Sequence, residues 1–153
     1  MRPAVATVAC MDRIEFRRVM VDEWGPPVAT LAPYLNGRSL IDLAREVEMP
    51  FAEAEGHADI AGSYLGLDGV GWPSRHFLGR PEFTMRDGGT VLLGCTCGIW
   101  GCWPLIADVE VGDDTVVWSG FEQPYRDDWD HSALGSFRFD RYGYETALRA
   151  TAS

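Results

Sequence analysis

The chain has 153 residues, and 13 basic against 23 acidic side chains give it a net charge of −10 at pH 7. This length suits one domain that buries about two thirds of the surface of its unfolded chain. The negative charge repels phosphates and anionic lipid headgroups, so we expect neither nucleic acid nor a membrane surface as a partner. Since all the basic residues are arginines, mechanisms that need a Schiff-base lysine or a P-loop lysine are excluded.

The N-terminal segment is similar to a secretion or lipoprotein signal, because one arginine precedes a stretch of small residues that ends at Cys10. The apolar run is only about seven residues long and contains Pro3, which favours a disordered segment over residues 1–12. No run approaches the ~20 apolar residues of a membrane span. We therefore expect one domain over residues 13–150, located in the reducing cytoplasm.

The first part of the chain predicts two strands. The segment IEFRRVMVD, which begins at Ile14, is rich in β-branched and aromatic residues. Residues 28–35 predict a second strand, which Pro33 should confine to the edge of a sheet because proline cannot donate to a ladder. The Asn36–Gly37 pair is typical of a turn after that strand.

A helix is predicted to follow, with Ser39 as its N-cap and Asp42 completing a weakened capping box. Its apolar residues recur at helical spacing and should form the buried stripe; they are Leu40, Leu43, Ala44 and Val47. The charged residues Arg45, Glu46 and Glu48 are expected to face water. Pro50 should end or kink the helix.

The rest of the chain reads as a long loop followed by β-structure. Residues 58–81 are rich in glycine and proline, and a loop of that length often lies over a functional surface. Strands are predicted at 90–95 and near 137–139, with a β-hairpin at about 105–121 and a C-terminal helix capped by Asp140. The expected fold is α+β: a single domain with one antiparallel sheet centred on the hairpin and two helices packed on one face.

Three of the four cysteines and two of the six tryptophans lie within ten residues, CTCGIWGCWP, at positions 95–104. If Cys95 ends a strand, the side chains of Cys95 and Cys97 point to the same face. Gly98 and Gly101 permit a sharp reversal that returns Cys102 to them. We therefore expect the three sulfurs to converge beside the main sheet.

Three interpretations of this cluster remain open. Cys95, Cys97 and Cys102 are candidate zinc ligands, with a fourth ligand that the sequence does not identify. A disulfide between Cys97 and Cys102 would suit thiol redox chemistry, although the helix-opening C-x-x-C motif is missing. In the third interpretation the cysteines are small buried hydrophobes, with Trp100 and Trp103 as core neighbours.

A second candidate site is the loop RDDWDH at residues 126–131, where three carboxylates and a histidine surround a tryptophan. It could supply an acid–base pair or bind a hard metal ion, but a solvated acidic loop held by its tryptophan is the simpler interpretation. His57 and His76 are isolated histidines, for which surface or satisfied-core roles are expected. No nucleophile elbow, dinucleotide fingerprint, P-loop, H-E-x-x-H or EF-hand motif occurs.

The chain resembles a family of small bacterial proteins of unknown function. The specific part of the resemblance is the segment C-x-C-G-x-x-G-C-W-P from Cys95 to Pro104, and weaker matches extend it over roughly residues 34–148. The weaker matches include Asn36–Gly37, Val117–Trp118 and Phe137-x-Phe139. The resemblance implies a bacterial domain that stands alone, and it implies no reaction.

Two functional hypotheses follow. The first is a non-catalytic binding or interaction module, in which the acidic surface neutralises a basic protein partner as immunity-type proteins do. Its contact residues would be Arg126, Trp129 and Asp130. The second is a metal- or thiol-dependent enzyme centred on Cys95, Cys97 and Cys102, for which zinc is the possible cofactor.

Overall fold

Two antiparallel sheets and two α-helices make up the part of the chain that the computed structural model describes, residues 11–85 and 89–152. The predicted α+β class is confirmed. The predicted disordered segment 1–12 lies mostly outside the described residues. Asp12 is described, and its carboxylate accepts the backbone N–H of Arg138 at 2.8 Å.

The first sheet has three strands in the order β1-β2-β3. Its strands are β1 (Ile14–Val21), β2 (Val28–Leu35) and β3 (Arg38–Ser39). The expectation that Pro33 makes β2 an edge strand is wrong, because β2 pairs with a strand on each side. The short β3 pairs only with Tyr34 and Leu35, so Pro33 lies just beyond that ladder and its missing N–H breaks no bond to β3.

The second sheet has five strands in chain order. They are β4 (Tyr64–Leu65), β5 (Thr90–Cys95), β6 (Leu105–Val111), β7 (Thr115–Glu122) and β8 (Phe137–Asp140). Strands β6 and β7 form the hairpin expected at about 105–121, with Val109 opposite Trp118. The structure therefore holds two sheets where the sequence predicted one.

Both helices begin where their capping residues predict. Helix α1 (Leu40–Ala54) starts after Ser39, whose hydroxyl accepts the N–H of Ile41, and it continues through Pro50. Helix α2 (Arg141–Arg149) starts after Asp140, which accepts the N–H of Gly143. Helix α1 contacts β2 and β3, whereas α2 contacts β1, β7 and β8, so the helices lie against different strands. Neither helix of the described residues combines the length and the apolar character of a membrane-spanning segment.

The core between the sheets and α2 is rich in aromatic rings. Trp118 donates from Nε1 to the hydroxyl of Tyr144 at 3.1 Å, and that hydroxyl donates to the carbonyl of Phe77 at 2.6 Å. Phe16 packs edge-on against both Trp118 and Tyr144. These bonds satisfy the polar ends of two large core side chains, as burial requires.

The buried face of α1 differs from the predicted stripe. Its buried residues are spaced by four, and they are Leu40, Ala44, Glu48 and Ala52. Leu43 and Val47 are only half-buried. The prediction that Glu48 faces water is wrong: its side chain is completely buried.

Candidate functional site

The cysteine-rich segment forms a turn at the end of β5; residues 95–103 are called the thiol loop below. The N–H of Gly98 donates to the carbonyl of Cys95 at 3.2 Å, and Gly98 has φ +94°, a backbone conformation that favours glycine. The N–H of Cys102 then donates to the carbonyl of Ile99 at 3.0 Å. The loop thus reverses sharply at Gly98, as the sequence predicts.

Two aromatic side chains hold the thiol loop in place. Trp24, between β1 and β2, donates from Nε1 to the carbonyl of Thr96 at 2.7 Å, and its ring lies on Gly98. A Cβ atom at Gly98 would lie 3.1 Å from that ring, so the contact also needs glycine. On the other side, Tyr125 donates its hydroxyl proton to the carbonyl of Gly101 at 2.8 Å.

The three cysteines of the loop are free thiols that solvent reaches. Cys97 and Cys102 are exposed, and Cys95 is partly exposed. The interpretation of the cysteines as small buried hydrophobes is therefore wrong. The residues of β5 that precede Cys95 are buried in the core, whereas the loop that follows the strand is exposed to solvent. Cys10 lies outside the described residues.

Backbone N–H groups point at two of the sulfurs. The N–H of Cys97 donates to Sγ of Cys95, and the N–H of Ile99 donates to Sγ of Cys97, each at 3.5 Å. Because such bonds favour a thiolate over a thiol, the Ile99 N–H lowers the pKa of Cys97, and the neighbouring thiols of Cys95 and Cys102 lower it further.

The pKa values of the two neighbouring thiols, Cys95 and Cys102, are raised rather than lowered. Partial burial is the largest cause that raises the pKa of Cys95, and the interaction with Cys97 is the largest that raises the pKa of Cys102. The three thiols therefore titrate as one interacting group, in which Cys97 loses its proton first. Cys97 is therefore the most readily deprotonated of the three thiols, and Cys95 and Cys102 flank it.

The thiol loop does not by itself define a metal centre. Across residues 11–85 and 89–152, no group of three or more histidine, cysteine, aspartate or glutamate side chains is arranged to hold a metal ion. Zinc bound by Cys95, Cys97 and Cys102 stays a prediction, and it needs a fourth ligand.

The second predicted site lies beside the thiol loop. Arg126 donates from Nε to Glu55 at 3.0 Å, and its guanidinium lies 5.1 Å from the ring of Trp103. Trp129 is buried and donates from Nε1 to the same carboxylate at 2.7 Å, and this bond is the largest cause that lowers the pKa of Glu55. Asp130 accepts the N–H of Ser132. Trp129 thus anchors the 126–131 loop, and its ring is not available to a partner in this conformation.

A buried polar network, which the sequence did not predict, joins α1 to this loop. Glu48 accepts three hydrogen bonds: from the N–H of Gly62 at 2.9 Å, from the hydroxyl of Tyr64 at 2.5 Å and from Nε2 of His131 at 2.8 Å. Gln123 donates to the hydroxyl of Tyr64 at 3.2 Å. Burial, with the charge of Glu48, raises the pKa of Tyr64. The one signal of the burial of Glu48 in the sequence was its spacing by four residues from Ala44 and from Ala52, which places the three on one face of α1.

The other two histidines have the surface and satisfied-core roles that the sequence predicts. His57 is exposed, whereas His76 is completely buried and satisfied. Its Nε2 lies 2.7 Å from the carbonyl of Val91, and its Nδ1 accepts the N–H of Glu82 at 3.0 Å. These partners fix the neutral tautomer with the proton on Nε2, and burial lowers the pKa of His76.

The molecule belongs structurally to the class of small α+β domains, and its distinguishing feature is an exposed loop of three thiols. Comparison with known proteins returned no match among protein-family models, among curated proteins or among solved structures. The function of the chain is therefore inferred from the geometry of the thiol loop.

Proposed function

We propose that this protein exchanges thiols with disulfides, with Cys97 as the attacking sulfur and Cys102 as the second thiol. The observation that carries the proposal is the position of Cys97: it is exposed, its sulfur accepts a backbone N–H, and two further thiols flank it. An accessible thiol with thiolate character and a neighbouring thiol is the usual setting of redox-active cysteines.

The reaction needs no group beyond the two thiols and the substrate disulfide. The Cys97 thiolate attacks one sulfur of the substrate, the substrate S–S bond breaks, and one half leaves as a thiolate. Cys102 then loses its proton to solvent and attacks Sγ of Cys97. This step forms the Cys97–Cys102 disulfide and releases the other half of the substrate as a thiolate. Two electrons pass from the protein to the substrate.

Cys102 suits the second step better than Cys95. Cys102 is exposed, and a bond to Cys97 closes a loop of six residues. A bond between Cys95 and Cys97 would span a single intervening residue, which strains the disulfide. The partly exposed Cys95 instead supports the nucleophile, because its thiol favours the thiolate of Cys97.

The binding-module hypothesis, with a basic protein as the partner, has less support. Two of its three contact residues have internal roles, since Arg126 pairs with Glu55 and Trp129 is buried against the same carboxylate. The acidic charge that motivated it also suits any protein that must stay soluble.

The test is oxidation of the reduced protein by a low-molecular-weight disulfide, followed by mass spectrometry. We expect a loss of two thiols per chain and a bond that maps to Cys97 and Cys102. Cys97→Ser should abolish this oxidation, Cys102→Ser should accumulate a mixed disulfide at residue 97, and Cys95→Ser should still form the bond. Unchanged oxidation in Cys97→Ser would overturn the proposal.

A further inference from the structure

A small cavity opens directly beside the thiol loop. Its volume is about 220 Å³, and Cys95 and Gly98 form part of its wall. Three aromatic rings also line it, from Trp24, Phe83 and Trp100. Cys97 is not itself part of the wall, but Gly98 directly follows it in the turn, and the backbone nitrogen of Cys97 lies 3.5 Å from Sγ of Cys95. A molecule in this cavity therefore contacts the residues that flank the proposed nucleophile.

The walls of the cavity come from four separate parts of the chain. The ring of Trp24 is fixed by its bond to Thr96, and the rings of Phe83 and Trp100 pack together with centroids 5.1 Å apart. Gly94 brings the backbone of β5 close to Trp100, since a Cβ there would lie 3.1 Å from Cβ of Trp100. The cavity is therefore built by fixed contacts between these segments.

Its size and lining suit one apolar group. An apolar cavity of about 150 Å³ accepts a benzene molecule, whereas sites for drug-sized ligands occupy about 300–1,000 Å³. A cavity of about 220 Å³ thus has room for a single ring or a branched aliphatic chain, and aromatic walls favour an aromatic ring.

The negative charge of the chain and of the cavity wall limits which disulfides the cavity can accept. Asp68 is the one ionisable side chain besides Cys95 among the described residues that line the cavity, and the whole chain carries a charge of −10. An anionic disulfide such as oxidised glutathione would meet like charge both at long range and at the cavity itself. An uncharged or cationic disulfide would not.

We infer that the cavity is the substrate site of the thiol loop and that it selects low-molecular-weight disulfides that carry an aromatic or aliphatic group and no negative charge. The inference rests on the proposed function, because it names the substrate class of the same thiols. In the bound state the ring fills the cavity, and the adjoining sulfur lies beside Cys97.

Two aromatic disulfides that differ in charge test this inference: neutral 4,4′-dithiodipyridine and anionic 5,5′-dithiobis(2-nitrobenzoate). Each rate of reaction with the folded protein is divided by the rate with the same chain unfolded in urea, which removes the intrinsic reactivity of the reagent. We expect the folded chain to favour the neutral reagent by about tenfold or more.

Substitutions in the cavity wall test whether the preference for the neutral reagent arises in the cavity. Phe83→Leu should reduce the normalised rate with the neutral reagent several-fold, and Asp68→Asn should raise the rate with the anionic reagent. Tyr142→Ala, at an exposed position on α2, is the control and should change neither. If Phe83→Leu perturbs the fold, the wild-type protein can be tested with millimolar indole, an aromatic ring without a disulfide. Indole that fills the cavity should slow the reaction of Cys97 with the neutral reagent.

The outcomes separate the two proposals. A Cys97-dependent reaction in which folded and unfolded chains show the same preference, with no protection by indole, would overturn the assignment of the cavity and leave the thiol chemistry standing. A reaction that persists in Cys97→Ser would overturn both.

Discussion

Nε2 of His131 lies 2.8 Å from Oε2 of Glu48, and both side chains are almost completely removed from solvent. The pair links helix α1 to the 126–131 loop, which is 83 positions away in sequence. The same carboxylate holds Gly62 and Tyr64 at the start of β4. One buried acid thus fixes the relative positions of three segments, and β4 in turn pairs with the end of β5 that carries the thiol loop.

Replacement of Glu48 should therefore destabilise the protein strongly. Glu48→Ala leaves the Gly62 N–H, the Tyr64 hydroxyl and the His131 ring without their acceptor, and the expected loss of unfolding free energy is about 3–5 kcal/mol. Denaturant unfolding measures it. Glu53→Ala, at an exposed position of the same helix, is the matched control and should stay within about 0.5 kcal/mol of wild type. A similar small loss for Glu48→Ala would contradict the role given to the network.

The buried face of α1 gives a second pair of variants. Leu40 is completely buried, whereas Leu43 is half-buried. Leu40→Ala should cost about 2–5 kcal/mol of unfolding free energy, since it removes core contacts and leaves a cavity. Leu43→Ala should cost clearly less, because solvent already reaches its side chain. Equal losses would place the helix in the orientation that the sequence alone predicted.

Features that depend on neighbouring residues could be predicted from the sequence. The Ser39 and Asp140 caps, the Asn36–Gly37 turn and the hairpin near 105–121 each follow from chemistry within a few residues, and each is present. The turn at Gly98 is of the same kind. These predictions were confirmed because local hydrogen bonds and backbone preferences decide them.

The errors arise where distant segments decide the outcome. A charged residue on a helix normally faces water. Glu48 can be buried because Gly62, Tyr64 and His131, from other segments of the chain, donate hydrogen bonds to its carboxylate. Likewise, the exposure of Cys97 depends on the direction in which the loop leaves β5. The spacing of Glu48 by four residues from Ala44 and Ala52 places it on the buried face of α1, but no pattern in the sequence identifies the groups that satisfy its carboxylate or the direction of the thiol loop.

The buried His76 makes stability depend on pH. Burial lowers its pKa in the folded state, whereas in the unfolded chain the imidazole has a pKa of about 6.5. The unfolded state therefore binds more protons between the lowered value and about 6.5, so stability falls as the pH drops below about 6.5, by at most about 1.4 kcal/mol per pH unit for one group.

Comparison of two variants isolates this contribution from other titrating groups. His76→Gln removes the titration and should flatten the curve of unfolding free energy between pH 7 and pH 5, whatever its effect on stability itself. Met20→Ala, at an exposed site that carries no titratable group, should leave the slope as in wild type. If His76→Gln retained the full slope, other groups would be its source.

The order in which the thiols ionise is the most direct test of the site. The N–H of Ile99 and the flanking thiols lower the pKa of Cys97, while the pKa of Cys95 and that of Cys102 are raised. Because only the thiolate reacts, alkylation by iodoacetamide should reach half its maximal rate at a lower pH for Cys97 than for Cys102. Site-resolved mass spectrometry of briefly alkylated protein, collected from pH 5 to pH 10, measures both profiles.

The same measurement decides between free thiols and a zinc centre. Free thiols predict identical profiles before and after treatment with a chelator, because nothing shields the sulfurs. A bound zinc ion would instead suppress alkylation of Cys95, Cys97 and Cys102 together, and the chelator would release all three at once. Elemental analysis of protein purified without chelator completes the comparison: one equivalent of zinc that is lost in Cys97→Ser would replace disulfide exchange by metal binding as the function of the thiol loop.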